Sequence, residues 1–351
     1  MRRTSLLSAA ALAVALTGAC GDTATNGASG ASAGCDGAVI GDSIPQASDP
    51  GLTLVHEGLV AEAERRGATV LTADANLDVN RQLSDVDSFI QRQADAVTAW
   101  PMDTTALRPA LQRAHDRGMV VVTQQTPQGV DFATNIQFDD RGAGAALATY
   151  LAEKLGPGAK VAAIIGPQQV DSFRNLAEGF AAGAEAAGLD VVETQNNPQL
   201  SPQKSAEITE QLRTRYGSEL AGIFDTLNVT ALASATVKDG DFNPLIVTYE
   251  GNEETRKAIE DGRITATVYV PNVLVGRTKT WAICERLAGE ELPDNIRVPY
   301  LIADQDNVAD IPSEAEQLEA DLTFELERAG AVDRVSYGGI ELPASAVEVE
   351  E

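Results

Sequence analysis

A chain of 351 residues can hold two domains of ordinary size, and 44% apolar residues give each a sizeable core. The formal net charge of −26, from 26 basic and 52 acidic residues, argues against nucleic acid as a partner, whose phosphates demand clustered Lys and Arg, and reads most simply as solubility. Two histidines, His56 and His115, and three scattered cysteines form no zinc-like ligand set, so neither a metal nor a cofactor is expected.

At the amino terminus, Arg2-Arg3 precedes an apolar run, Leu6 to Leu16, that is too short to span a bilayer. Thr17-Gly18-Ala19-Cys20 follows, in the manner of a bacterial lipobox, so residues 1–20 read as a lipoprotein signal with Cys20 as the lipidated residue. An ordinary secretory signal cut near Ala19 is the alternative. Residues 21–36, rich in Gly, Ser, Ala and Thr, read as a flexible tether. The folded part is therefore expected outside the cytoplasmic membrane, anchored by lipid to its outer face. With Cys20 assigned to lipid, Cys35 and Cys284 remain as an even pair in an oxidising compartment, either bonded or as two buried thiols.

Gly37 to Gly41 is a short first strand, and a polar loop, Asp42–Pro50, leads to a helix ended by Gly67. Ala68 to Thr72 is a strand, Asn80–Arg92 a helix, and Ala96 to Trp100 a strand stopped by Pro101. A helix over Thr104–Arg117 and a Val-rich strand, Met119 to Thr123, complete the first run. The pattern restarts with a helix at Ala143–Leu155. Lys160 to Gly166 is a buried strand, and apolar Phe173, Leu176, Phe180 and Ala184 mark a helix that Gly188 stops before a strand at Leu189 to Thr194. Strand, helix and strand in this order make a parallel unit with a right-handed crossover, and ligands in such sheets meet the loops at the strands' carboxyl ends. Helices at Ser205–Arg215, Thr230–Lys238, Glu253–Glu260 and Leu274–Leu287 alternate with strands at Gly222–Thr226, Leu245–Tyr249 and Thr265–Val270. From Asp304 onward the chain is acidic, with one amphipathic helix expected at Glu314–Arg328 and a solvated end.

These residues resemble a known family. Trp100-Pro101-Met102-Asp103 after a strand, Phe173-Arg174 leading into Glu178-Gly179-Phe180, Tyr249-Glu250-Gly251, and the run Asp261 to Thr267 are similar in order and spacing to motifs of ribose-binding-protein-like periplasmic solute-binding proteins, the type I receptors of ABC sugar importers. The resemblance implies an α/β fold of two Rossmann-like lobes, each a parallel sheet flanked by helices, joined by a three-strand hinge. It sets the first lobe at 37–137 plus 271–301, the second at 139–268 and an acidic carboxyl-terminal extension at 304–351. The hinge passages fall near Gln137–Asp140, Val268–Val270 and Tyr300–Ile302. It also implies cleft positions for Asp103, Arg174 and Glu250, with Asp49 where the family has a contacting Asn.

The chemistry of those side chains agrees, because carboxylates accept from hydroxyls and a planar guanidinium clamps two oxygens. Each also has a structural reading: Asp103 as a helix N-cap, Arg174 as a surface ion pair, Glu250 as a turn or capping carboxylate. The family's aromatic sandwich is missing, since its places fall on Gly51, Leu52 and Leu200, and its Asn and Gln contacts fall on Leu227 and Val270. Trp100 and Tyr249 are the replacement faces expected, with Phe173 or Tyr269 behind them, and a Trp beside carboxylates also suits a cation. The run Arg141 to Ala146 has two glycines of a dinucleotide fingerprint but no third, and reads as small residues packed against the sheet.

No Ser/His/Asp set or nucleophile elbow is present, so an enzyme is not expected. The reading is a lipid-anchored receptor that captures a small sugar or polyol by hinge closure and delivers it to the permease of an ABC importer. A receptor for an amine-bearing or signalling molecule feeding a sensor kinase is the alternative, and a hydrolase using Asp103 and Glu250 the more distant one.

Overall fold

The computed structural model describes residues 34–126, 130–329 and 332–347; the signal segment, Cys20 and most of the tether lie outside them. The first run of elements is β1 (Val39–Ile44), α1 (Pro50–Arg65), β2 (Thr69–Asp74), α2 (Val79–Gln91), β3 (Ala96–Ala99), α3 (Thr104–Asp116), β4 (Val120–Gln124) and β5 (Thr134–Gln137). The second run is α4 (Asp140–Leu155), β6 (Lys160–Ile165), α5 (Asp171–Ala186), β7 (Asp190–Asn196), α6 (Pro202–Tyr216), β8 (Leu220–Asp225), α7 (Asn228–Ala235), β9 (Leu245–Tyr249), α8 (Glu253–Glu260) and β10 (Ala266–Tyr269). The chain ends with α9 (Asn272–Leu287), β11 (Asn295–Arg297), β12 (Leu301–Asp304), α10 (Glu314–Glu319), β13 (Thr323–Ala329) and β14 (Val332–Gly338).

Two sheets result. One has the order β13-β14-β11-β5-β4-β3-β1-β2, the other β12-β10-β9-β8-β6-β7. All neighbours are parallel except β13 with β14 and β12 with β10. The central strands are apolar runs because helices cover both faces of each sheet: Val97, Val122, Val161, Ile164 and Val247 are all buried. Within each sheet the chain starts one strand in, steps outward, then returns past its start: β1, β2, β3 in one and β6, β7, β8 in the other. That reversal splays the loops after β1 and β3, and after β6 and β8, and so opens a crevice at each switch point.

The chain crosses between the sheets after β5, after β10 and between β11 and β12, as the resemblance implied. Two further passages come from the carboxyl-terminal segment. It leaves β12, adds β13 and β14 to the first sheet, and returns so that Ala346 N donates to Ile302 O at 2.9 Å and Val347 enters the second lobe's core. The expected helix at Glu314–Arg328 therefore stops at Glu319. Ala320 turns to extended backbone, and Thr-Phe-Glu-Leu-Glu-Arg-Ala alternates with the period of a strand. Nor is the segment a solvated tail: Phe324 stacks on Trp281 at 5.5 Å and Val335 is fully buried.

The tether also ends earlier than expected. Cys35 is buried and disulfide-bonded to Cys284 on α9, with Cα atoms 5.0 Å apart. Gly34 lies so near α9 that a Cβ there would meet Cys284 O at 2.5 Å.

The small residues of α4 have a helix, not the sheet, as their close partner. A Cβ on Gly144 would stand 2.1 Å from Leu176 O of α5, and one on Gly179 of α5 would stand 2.0 Å from Arg141 O. Gly58 of α1 and Gly276 of α9 make the equivalent contact in the first lobe, against Val273 O and Val55 O. Each lobe thus holds one helix pair at backbone contact, which sets the rigidity of the platform under the loops.

Candidate ligand cleft at the lobe junction

In the first lobe each switch-point loop is shaped by its own capping. Asp49 Oδ1 accepts from Leu52 N at 2.9 Å at the start of α1, and Asp103 Oδ1 accepts from Ala106 N at 2.9 Å at the start of α3. Trp100 to Met102 is clamped by the buried amide of Gln82, which donates to Trp100 O at 2.9 Å and accepts from Met102 N at 3.1 Å. On β1, Asp42 sits 2.8 Å from His56 Nδ1 and 3.6 Å from Lys279 Nζ. Burial alone would push its carboxyl up, but Lys279 and His56 outweigh that and hold it below the usual range.

A cavity of about 750 Å³ lies between the lobes. Trp100, Asp103 and Arg108 form its wall on the first lobe, Gln137 to Arg141 its floor at the first passage, and Gln169, Asp171 and Asn175 its wall on the second. The lining cations point elsewhere. Arg108 pairs with Asp131 at 3.1 Å, and Arg141 pairs with Glu178.

Trp100 and Asp103 are therefore in the cavity, Asp103 as an N-cap as well. Arg174 is not among the lining residues; its guanidinium is held by Asp171, one turn away, and by Gln168 O at 3.2 Å. Tyr249 is buried in the second lobe's core, so its ring offers no open face, and its hydroxyl donates to Asp140 Oδ1 at 3.0 Å. Tyr269 likewise turns away: its hydroxyl accepts from Gln317 Nε2 at 2.7 Å and Arg256 lies over its ring. Glu250 takes a left-handed backbone, φ 64°, with its carbonyl accepting from Thr267 Oγ1 at 2.6 Å; the cap of α8 is Asn252 instead. Its carboxylate and that of Asp49 each lie within 4 Å of the place a Cβ on Gly51 would take, so the two lobes present carboxylates to one another there. Asp49 and Glu250 stand outside the walls of the main cavity.

Asp140 is the residue that sequence reasoning passed over. It lines the cavity at 8% exposure and joins three elements, since Tyr249 donates to one oxygen and Gln125 Nε2 to the other at 2.9 Å. Burial pushes its carboxyl up to about 7, with Asp139 adding and the two hydrogen bonds opposing. Glu250 is pushed up to about 8, by burial first and then by Asp49 and Asp140. The doubled acid after a hinge strand was its one visible signal.

The sign of the pH effect follows. Above about pH 4 the unfolded carboxyls release protons that the folded ones keep, so this contribution to stability is complete below that pH and is lost as pH rises through about 7 to 8. Asp225, buried against Thr230 and Ser234 and raised to about 6, acts in the same direction. The urea midpoint is expected to fall from pH 5 to pH 8.5, and Asp140→Asn with Glu250→Gln to flatten that slope; a midpoint rising with pH in both proteins contradicts it.

Residues 40–291 match the periplasmic binding protein domain. The chain belongs to the periplasmic binding protein family. This binding protein is 29% identical over 271 residues to the ribose import binding protein of Bacillus subtilis (strain 168), covering 76% of this chain and 87% of the relative. Among solved structures it resembles the periplasmic ribose ABC transporter protein of Conexibacter woesei, with TM-score 0.73, 21% identity, and 81% and 98% of the two chains covered. It also resembles a Bacillus halodurans ABC transporter solute binding protein with bound myo-inositol, with TM-score 0.70, 21% identity, and 79% and 97% covered. At these identities the two structures speak for the fold of the binding protein.

Proposed function

We propose that this protein is an extracytoplasmic receptor for a small sugar or polyol, anchored by lipid on Cys20, that delivers its solute to the membrane permease of an ABC importer. The observation that carries the reading is the cavity at the two switch points, walled by both lobes and floored by the first passage. A solute held there touches both lobes, so its differential affinity favours the closed arrangement and capture proceeds by hinge closure. Relatives named for ribose import and neighbours with bound myo-inositol or D-allose support a polyhydroxylated solute and a transport partner, and support binding over catalysis. Asp103 and Trp100 supply an acceptor and an apolar face; Arg174 joins them once closure draws it from Asp171.

The test is a thermal-shift screen of D-ribose, D-allose, xylitol and myo-inositol on the mature protein. A bound solute at one hundred times its dissociation constant stabilises by about 2.7 kcal/mol, a rise of several degrees. Asp103→Ala is expected to weaken the binding solute at least tenfold. No shift from any of the four, or full affinity in that variant, counts against the assignment.

A further inference from the structure

The cleft holds more carboxyl groups than a neutral solute needs. Asp140 is 8% exposed on the cavity floor, and its two hydrogen-bond partners, Tyr249 and Gln125, are both neutral. Behind it, Glu250 and Asp49 approach each other from the two lobes. The charges that act on Asp140 and Glu250 are all carboxylates: Asp139 on the first, Asp49 and Asp140 on the second. The nearby guanidiniums are engaged elsewhere, Arg108 with Asp131, Arg141 with Glu178 and Arg297 with Asp139. A buried carboxylate without a counter-charge is costly, and a ligand cation arriving there removes that cost. No three His, Cys, Asp or Glu side chains among the described residues converge as metal ligands. Trp100 on the wall adds a ring face suited to such a charge.

We propose that the solute of this cavity is an amino sugar or amino polyol, whose ammonium is seated at Asp140 on the cavity floor with Trp100 on the adjoining wall. The inference rests on the reading of the cavity as the solute site and names the class of solute within it. The hydroxyls of the same molecule meet Asp103 and the amides of Gln169 and Asn175. Asp140 then selects between an amine and a hydroxyl at one carbon: it accepts from either, but only the ammonium neutralises it.

Calorimetric titration of the mature protein with matched pairs tests this: D-glucosamine against D-glucose, D-galactosamine against D-galactose, and 1-amino-1-deoxysorbitol against sorbitol. At least one aminated member is expected to bind tenfold or more tighter than its hydroxyl partner. Asp140→Asn is expected to bring that ratio below about threefold, whereas a purely structural role for Asp140 weakens both members alike and leaves the ratio in place. Neutral members that bind as tightly as the aminated ones overturn the amine and leave the sugar reading standing. A ratio unchanged in Asp140→Asn overturns the seat assigned to the ammonium. Binding by no member of any pair, in a protein with a cooperative melt, overturns the amine, and the sugar reading then stands or falls with D-ribose, D-allose, xylitol and myo-inositol.

Discussion

Replacing Arg277 by Ala is expected to lower stability by about 3–5 kcal/mol, because a carboxylate oxygen and two carbonyls lose their donor at once. Arg277, on α9, is fully buried. Its Nε and Nη2 donate to Glu62 Oε2 at 2.9 and 2.7 Å, and its Nη1 donates to Gln317 O and Ala320 O, both at 2.8 Å. One guanidinium therefore fastens α1, α9 and the last turn of α10 together. On the second lobe, Arg256 reaches the same short helix through Glu314 Oε1 at 2.7 Å and Pro312 O at 3.2 Å. Loss of Arg277 leaves Glu62 Oε2 without its donors, while Glu62 Oε1 keeps Arg66 Nε at 2.6 Å, and it frees two carbonyls at the end of α10. Urea unfolding followed by circular dichroism reads the effect. A single variant within 1 kcal/mol (about the usual cost of a surface change) refutes the account.

Breaking the bond between Cys35 and Cys284 has the second large expected effect. The bond closes a loop of sequence separation 249, and removing loop-closure entropy from the unfolded chain is worth about 3–5 kcal/mol at such lengths. Cys35→Ala with Cys284→Ala is expected to lose about that much, and reduction of the wild-type protein before unfolding to give a similar drop. Equal urea midpoints for oxidised and reduced protein contradict this. Both sulfurs are buried beside Trp281 and Ile283 in the first lobe's core, so the apolar replacement adds little strain of its own.

The two-lobed α/β fold was legible because its signals are local and repeated. Runs such as Ala96–Ala99 and Val161–Ile164, each closed by a turn residue and followed by helical spacing, survive without tertiary context. Three short strands escaped: β5, β11 and β12 span three or four residues each, two periods of alternation at most. The carboxyl-terminal hairpin escaped for a different reason. Glu314–Arg328 carries acidic residues at spacings that serve a helix surface as well as a strand face, and only the pairing of β14 with β11 decides between them. Asp103 was readable because capping and cavity lining fall on one side chain. Asp140 was not, because its importance comes from Gln125 and Tyr249, 15 and 109 positions away. Tyr249 was expected to offer a ring face, and what it contributes is its hydroxyl.

The fifth passage of the chain has a practical corollary. Residues 34–36 are fixed to α9 in one lobe, while residues 344–347 lie along β12 in the other. The two extremities of the described chain thus ride on different rigid bodies, and a pair of fluorophores placed at them measures any change in the angle between those bodies without intruding on the cavity.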